Sequence, residues 1–373
     1  MRALEAVWVF CIGLLFIPGA VAQTPAPDTR PGVAPDIRAD ETNLKLQRGN
    51  YVVVPIPISN PTLGTGLIAG GAYFYPQTDE QRIAQPASVT AAAAMYTTND
   101  SRAAAIVQQN YLKENRWRFT GALGAADLRL SLPTPEGYVG PRSIDWQVEG
   151  QFLFARLARR VVRDWYAGAF TRIIDADQRI DLVGTYDPGF DTSLSVRSAG
   201  IGISLELDSR DLPLNSYSGQ HLILNALFNE EAIGSDSTYQ SYSASFRSYH
   251  ILREGLVLAA DLQACKRGRN APLWDACTVG LRGFSVTDYL GKTSSSAQLE
   301  LRWRFRKRLG LVGFGGAGYV DDSFGGLQDQ EVIPSYGAGI RFMVLEEKRI
   351  NMRLDYARSN DDDAIYFSVG EAF

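Results

Sequence analysis

Ser209 sits between Asp208 and Asp211, a stretch in which a hydroxyl and two carboxylates crowd together. A serine nucleophile also needs a base within hydrogen-bond reach. The chain holds only two histidines, His221 and His250, and neither has a placeable role beside Ser209. Serine among aspartates is the ordinary chemistry of a turn. The expectation is therefore a protein that is not an enzyme, with no catalytic residue. Two histidines also argue against a histidine-rich metal site, so no metal and no cofactor are expected.

Two other groups of residues have chemistry to offer. Cys265 and Cys277 flank a polar insert, residues 266–275. In an oxidising compartment an even pair favours a disulfide, which would staple the base of a loop on the outer face; two free thiols are the alternative. Arg282 carries five donors in a planar fork. If its loop folds into a wet interior it needs a carboxylate, and Glu300 faces that interior on a following strand; the alternative is an ordinary solvated loop arginine.

The elements that position these residues are strands. Hydrophobic residues make up 45% of the 373, with 35 Gly, 17 Tyr and 17 Phe, a mixture that suits an all-β chain. The net charge of −4 gives no basic field for nucleic acid. Residues 1–22 read as a secretory signal peptide: Arg2, an apolar run over 6–17 that includes Cys11, the helix breakers Pro18 and Gly19, then Ala20-Val21-Ala22. Residues 23–50, with Pro25, Pro27, Pro31 and Pro35, read as a short disordered periplasmic arm. Residues 51–373 are expected to form the barrel.

Beyond Tyr51 no stretch approaches the ~20 consecutive apolar residues of a spanning helix. Short runs alternate with period two instead. Leu299, Leu301, Trp303 and Phe305 oppose Gln298, Glu300, Arg302, Arg304 and Arg306. Such charge cannot enter a dry core, but it suits a barrel wall with one face to lipid and one to a wet lumen. Residues 145–154 read the same way, with Trp146, Val148, Phe152 and Phe154 on the lipid face and Asp145, Gln147, Glu149 and Gln151 on the other. Candidate strands begin near residues 51, 64, 86, 101, 115, 144, 163, 194, 219, 238, 255, 273, 294, 310, 335, 349 and 364. With the 273 segment read as a loop, about 16 remain, an even number. The predicted fold is an all-β transmembrane antiparallel barrel with a long loop folded into its lumen. Lipid offers no hydrogen-bond partner, so the first and last strands must meet. The last strand carries Ile365, Phe367, Val369 and Phe373 on one face, with Glu371 as the exception.

Several stretches resemble the barrel domain of the BamA/TamA-type assembly and translocation superfamily, the bacterial surface antigens. Asp208-Ser209-Arg210-Asp211-Leu212-Pro213, closing with Gly219, is similar to that family's turn. Leu281-Arg282-Gly283-Phe284 is similar to the tip of its inward-folded loop, Ala297 to Phe305 to its following strand, and Phe367-Ser368-Val369-Gly370-Glu371-Ala372-Phe373 to its closing strand. The resemblance implies that Arg282 locks the loop onto inward acids. The pattern usually supplies one such acid where this chain has Gly316 in Phe314-Gly315-Gly316-Ala317-Gly318, so the lock is expected to rest on Glu300 and a different acid. Family members that insert or translocate proteins usually carry periplasmic polypeptide-transport-associated domains; the arm over 23–50 is far shorter than one such domain, so the chain resembles a short, barrel-only member.

Two functions compete. An insertion or translocation pore would work through a loop-plugged lumen and a seam between the first strand, with Pro55 and Pro57, and the last strand, loosened by Gly370. A passive diffusion channel would use Glu149, Glu206, Arg302, Arg304 and Arg353 as selectivity charges. The expected location is the bacterial outer membrane. Its partners would be lipid and lipopolysaccharide, the outer-membrane assembly machinery during biogenesis, and client proteins or a separate periplasmic protein, with no nucleic acid.

Overall fold

The computed structural model describes residues 50–133, 143–181, 191–212, 215–323, 332–346, 349–360 and 362–373. The expected signal peptide and most of the expected arm lie outside these, as does Pro213.

Sixteen strands form the wall: β1 (Asn50–Asn60), β2 (Gly64–Phe74), β3 (Val89–Thr97), β4 (Arg102–Leu112), β5 (Trp117–Pro133), β6 (Ser143–Val162), β7 (Trp165–Asp181), β8 (Asp191–Asp208), β9 (Gly219–Asn229), β10 (Tyr239–Arg253), β11 (Leu256–Arg267), β13 (Leu290–Arg304), β14 (Leu309–Ser323), β15 (Ile333–Leu345), β16 (Ile350–Ser359) and β17 (Asp362–Val369). Each pairs antiparallel with its neighbours in chain order, and β1 meets β17, so the sheet closes. A two-residue strand, β12 (Cys277–Thr278), takes over the ladder on β13 beyond the end of β11. Most turns at the end carrying Asn50 and Phe373 are short, such as Glu254-Gly255, with Gly255 at φ +74°, which joins β10 to β11; the connections over 75–88 and 209–218 at that end are longer.

Alternation sorts the side chains. Ile201, Ile203, Leu299, Leu301 and Trp303 point outward and are exposed, as a lipid face requires. Trp303 and Phe305 stack near the terminal end, with ring centroids 5.6 Å apart. Tyr96, Tyr242, Tyr336 and Tyr356 stand toward the opposite end. These are the two aromatic belts of a membrane barrel. No helix among the described residues is long and apolar enough to cross a membrane.

One expectation is corrected here. On β6 Trp146, Val148 and Phe152 are buried inside the barrel, while Asp145 and Glu149 face outward and are exposed. Glu149 is therefore not a lumen charge. The reason is length. A spanning strand needs about 9–11 residues, whereas β5 to β8 run 17 to 20. Their far ends stand beyond the bilayer, where water lies outside and the polarity of the two faces inverts. Their inner residues Leu128, Leu130, Trp146, Val148 and Ile174 form one core with Trp274 from the segment after β11. The inner faces of β8 to β16 are polar instead.

Ile203→Arg, near mid-membrane on the outer face of β8, should cost about 2–4 kcal/mol in reversible unfolding from bilayers. Ser243→Arg on the inner face of β10 should cost about 0.5 kcal/mol or less. Equal losses would contradict the assigned faces.

Candidate functional site

The tip of the segment between β12 and β13 meets inward side chains from five strands, β13 to β17. Arg282 Nη1 donates to Asp355 Oδ2 at 2.7 Å; its Nη2 donates to Gln298 Oε1 at 2.8 Å and Glu300 Oε2 at 2.6 Å. The guanidinium lies 3.4 Å from the centroid of the Phe314 ring, a cation–π contact. Ser335 Oγ donates to the Arg282 carbonyl. The Gly283 N–H donates to Tyr366 Oη at 2.9 Å. Gly283 has φ +118°, and a Cβ there would press on the Arg358 backbone at 2.9 Å, so only glycine lets the tip come this close. Phe284 packs with Val279, Leu281 and Ile333 and stands edge-on to Tyr289 at 4.8 Å.

The second acid is Asp355, on β16. A Cβ at Gly316 would collide with the Ala297 carbonyl, so the position where the family pattern carries its acid has no room here. Asp355 and Glu300 are fully buried, and each binds further cations. Glu300 Oε1 accepts from Arg302 Nε at 2.7 Å. Asp355 Oδ1 accepts from Arg341 Nη1. Buried carboxylates are tolerated only when paired and hydrogen-bonded in this way.

A second tether lies before β12, in the stretch that follows β11. Asp275 accepts from Arg172 Nη2 at 2.6 Å, Arg267 Nε at 3.1 Å and Tyr239 Oη at 2.7 Å. Burial alone would push its carboxyl up. The two guanidiniums overcome that and hold it well below the usual carboxylate range. Cys265 and Cys277 are joined by a disulfide across a Cα–Cα distance of 5.7 Å. The sequence reading missed Asp275 and Trp274 because nothing local marks them.

The predicted turn is built from its own polar groups. Arg210 Nε donates to Asp208 Oδ1 at 2.8 Å. Asp211 Oδ1 accepts from the Tyr217 and Ser218 N–H groups at 2.9 and 3.2 Å. Gly219 has φ +99°, where a side chain would strike the Ser209 carbonyl. Ser209 Oγ exchanges bonds with the Gln220 backbone, which is turn chemistry. The turn also reaches across the barrel: Asp211 pairs with Arg349, whose guanidinium lies 4.2 Å from the Tyr217 ring centroid. Glu206, Asp208 and His221 approach within 4.8 Å of one another. Arg156 and Arg118 already neutralise Glu206 at 2.7 and 3.3 Å, which disfavours a cation there.

The seam is thin. β1 pairs with β2 at eleven positions and β16 with β17 at eight, but β1 meets β17 at one, Ser59 with Phe367. Gly370, at φ +98°, turns the tail out of the strand. Glu371 then accepts from Arg341 Nε at 2.7 Å and from Asn351 Nδ2. Arg302 Nη2 donates to the Phe373 main-chain oxygen at 2.8 Å.

Arg282→Ala should cost about 3–5 kcal/mol, because it leaves Glu300 and Asp355 short of a buried cation. The measurement is the temperature at which the folded band is lost in semi-native gels. Reducing the disulfide, whose cysteines lie 12 apart, should cost about 2–3 kcal/mol by the same readout. A parent-like transition in either case would show that the contact carries no stability.

No family model and no curated protein sequence matches the chain. Solved structures do. BamA from Haemophilus ducreyi lacking POTRA domains 1–3 is similar with a TM-score of 0.58 at 13% identity, over 87% of this chain and 70% of that one. CdiB from Acinetobacter baumannii gives 0.57 at 12%, over 87% and 60%. CdiB from Escherichia coli gives 0.56 at 11%, over 85% and 62%. At such identities the likeness is one of fold, and the chain has the sixteen-strand barrel fold that BamA and CdiB share.

Proposed function

We propose that the chain is a bacterial outer-membrane barrel that inserts or translocates polypeptides, with residues 268–289 filling its interior and the β1–β17 seam giving clients access. The single registered pair at the seam carries this reading. A wall meant only to close would pair its first and last strands along their length, because unpaired backbone in lipid is costly. β1 leaves an edge open instead, and an open edge is a template for an incoming strand. Pro55 and Pro57 contribute no N–H to that strand. The fold shared with BamA and CdiB supports the same general kind of work.

The interior argues against a diffusion channel as the main activity. Arg282, Glu300, Asp355, Arg302 and Arg341 pair with one another across it, so the charges around the segment tip are not free to line a water path. Lipid and lipopolysaccharide would surround the outer face. Assembly machinery would deliver the chain, and its clients or a separate periplasmic partner would be proteins. The reading assigns no catalytic step and no cofactor.

Ser59→Cys with Phe367→Cys would bridge the seam at its one registered pair. Insertion of an unfolded client barrel into liposomes holding the bridged protein should fall to the level of empty liposomes, and reduction under conditions that spare Cys265–Cys277 should restore it. Undiminished insertion through a bridged seam would defeat the proposal. In planar bilayers the parent should show small, unsteady openings; a large steady conductance would favour the diffusion channel.

A further inference from the structure

One pair of carboxylates binds the segment tip directly and, through two further arginines, reaches the strand tail. Arg282 bridges Glu300 and Asp355. The other oxygen of Glu300 engages Arg302, which grips Phe373 through its main-chain oxygen at 2.8 Å and lies 5.4 Å from its ring centroid. The other oxygen of Asp355 engages Arg341, which grips Glu371 at 2.7 Å. Two chains of charged hydrogen bonds therefore run from one arginine of the segment to the last residues of the wall.

The tail has two incompatible places to be. Along β17 Ile365 points outward, so a straight continuation would carry Glu371 onto the lipid face, where an unpaired carboxylate is expensive. Continuing the Ser59–Phe367 register would also set Ala372 opposite Val54 on β1. The bend at Gly370 removes both outcomes by turning Glu371 to Arg341 and Asn351. No atom lies within 4 Å of a Cβ at Gly370, so backbone conformation and not crowding reserves that position for glycine.

We infer that Arg282 is a positioning residue for the seam: through Glu300 and Asp355 it orients Arg302 and Arg341 to keep Glu371–Phe373 inside the barrel and off the β1 edge. Without Arg282, each carboxylate loses one of its two close cations and keeps Arg302 or Arg341 as the other. Arg302 and Arg341, already bound to these acids, shift toward the oxygens that Arg282 leaves, and that shift loosens their hold on the tail. A client or partner that draws the segment tip away would act in the same way, closing the seam when the tip leaves and opening it when the tip returns. The inference rests on the seam reading above and adds its control.

The test places Val54→Cys and Ala372→Cys in the full chain in bilayers, where a short bis-maleimide reacts only with free thiols and leaves Cys265–Cys277 alone. The parent should crosslink poorly. Glu371→Gln, which weakens the grip directly, should raise the yield, and Arg282→Ala should raise it about five-fold, the scale of a typical coupling. Parent-level yield in Arg282→Ala with a raised yield in Glu371→Gln overturns the coupling. Parent-level yield in both overturns the tail latch as well. If Arg282→Ala does not fold, Arg282→Lys, which keeps the charge but loses the fork, should raise the yield about two-fold, and no rise there overturns the coupling. The seam reading stands or falls separately, on whether bridging Ser59→Cys to Phe367→Cys abolishes client insertion into liposomes.

Discussion

Backbone that crosses lipid must find all its hydrogen bonds within the protein. That constraint accounts for the antiparallel ladder from β1 to β17 and the closure of the sheet on itself. It also makes any thin place in the wall conspicuous. The ladder is long everywhere except between its first and last strands, where one registered pair remains. The rest of the molecule can be understood as what keeps a barrel intact while that place stays thin.

Charge inside the wall serves this end. Glu300 and Asp355 have no water to turn to, so they gather Arg282, Arg302 and Arg341 around them. Each arginine comes from a different part of the chain, and each carries something with it: the segment tip, the wall at β13, the tail beyond β17. Asp275 does the same for the earlier part of the segment, drawing Arg172 and Arg267 from β7 and β11. The interior is thus cross-braced by a few carboxylates, each answering to more than one cation.

Much of this was legible in the sequence. Expected strand starts near 64, 101, 144, 219, 238 and 255 compare with observed starts at 64, 102, 143, 219, 239 and 256, because period-two alternation and turn residues are local signals. The expected loop near 273 holds a short 3-10 turn, Leu273–Asp275, and the two-residue β12. Arg282 and Glu300 come together as expected. The replacement acid was harder to name. Asp355 lies on the inward face of a recognisable strand, but its meeting with Arg282, 73 residues away, depends on barrel curvature and register that no local pattern records. The reversed face of β6 was misread for a related reason: alternation shows that two faces differ, not which solvent each one meets.

That reversal has a mechanical consequence. Along β6, charged Asp145 and Glu149 share an outer face with Leu153 and Leu157, which lie nearer the terminal end. The strand therefore carries its own waterline, drawn between Gln151 and Leu153. Pushed deeper, the barrel would drag carboxylates into hydrocarbon; pulled outward, it would bare leucines to water. β5, β7 and β8 are of similar length beside it, so this side of the wall acts as a collar that sets the draught of the barrel. A wall whose first and last strands share one registered pair is held by such a collar at a fixed depth, so the membrane meets the same rung of β1 throughout.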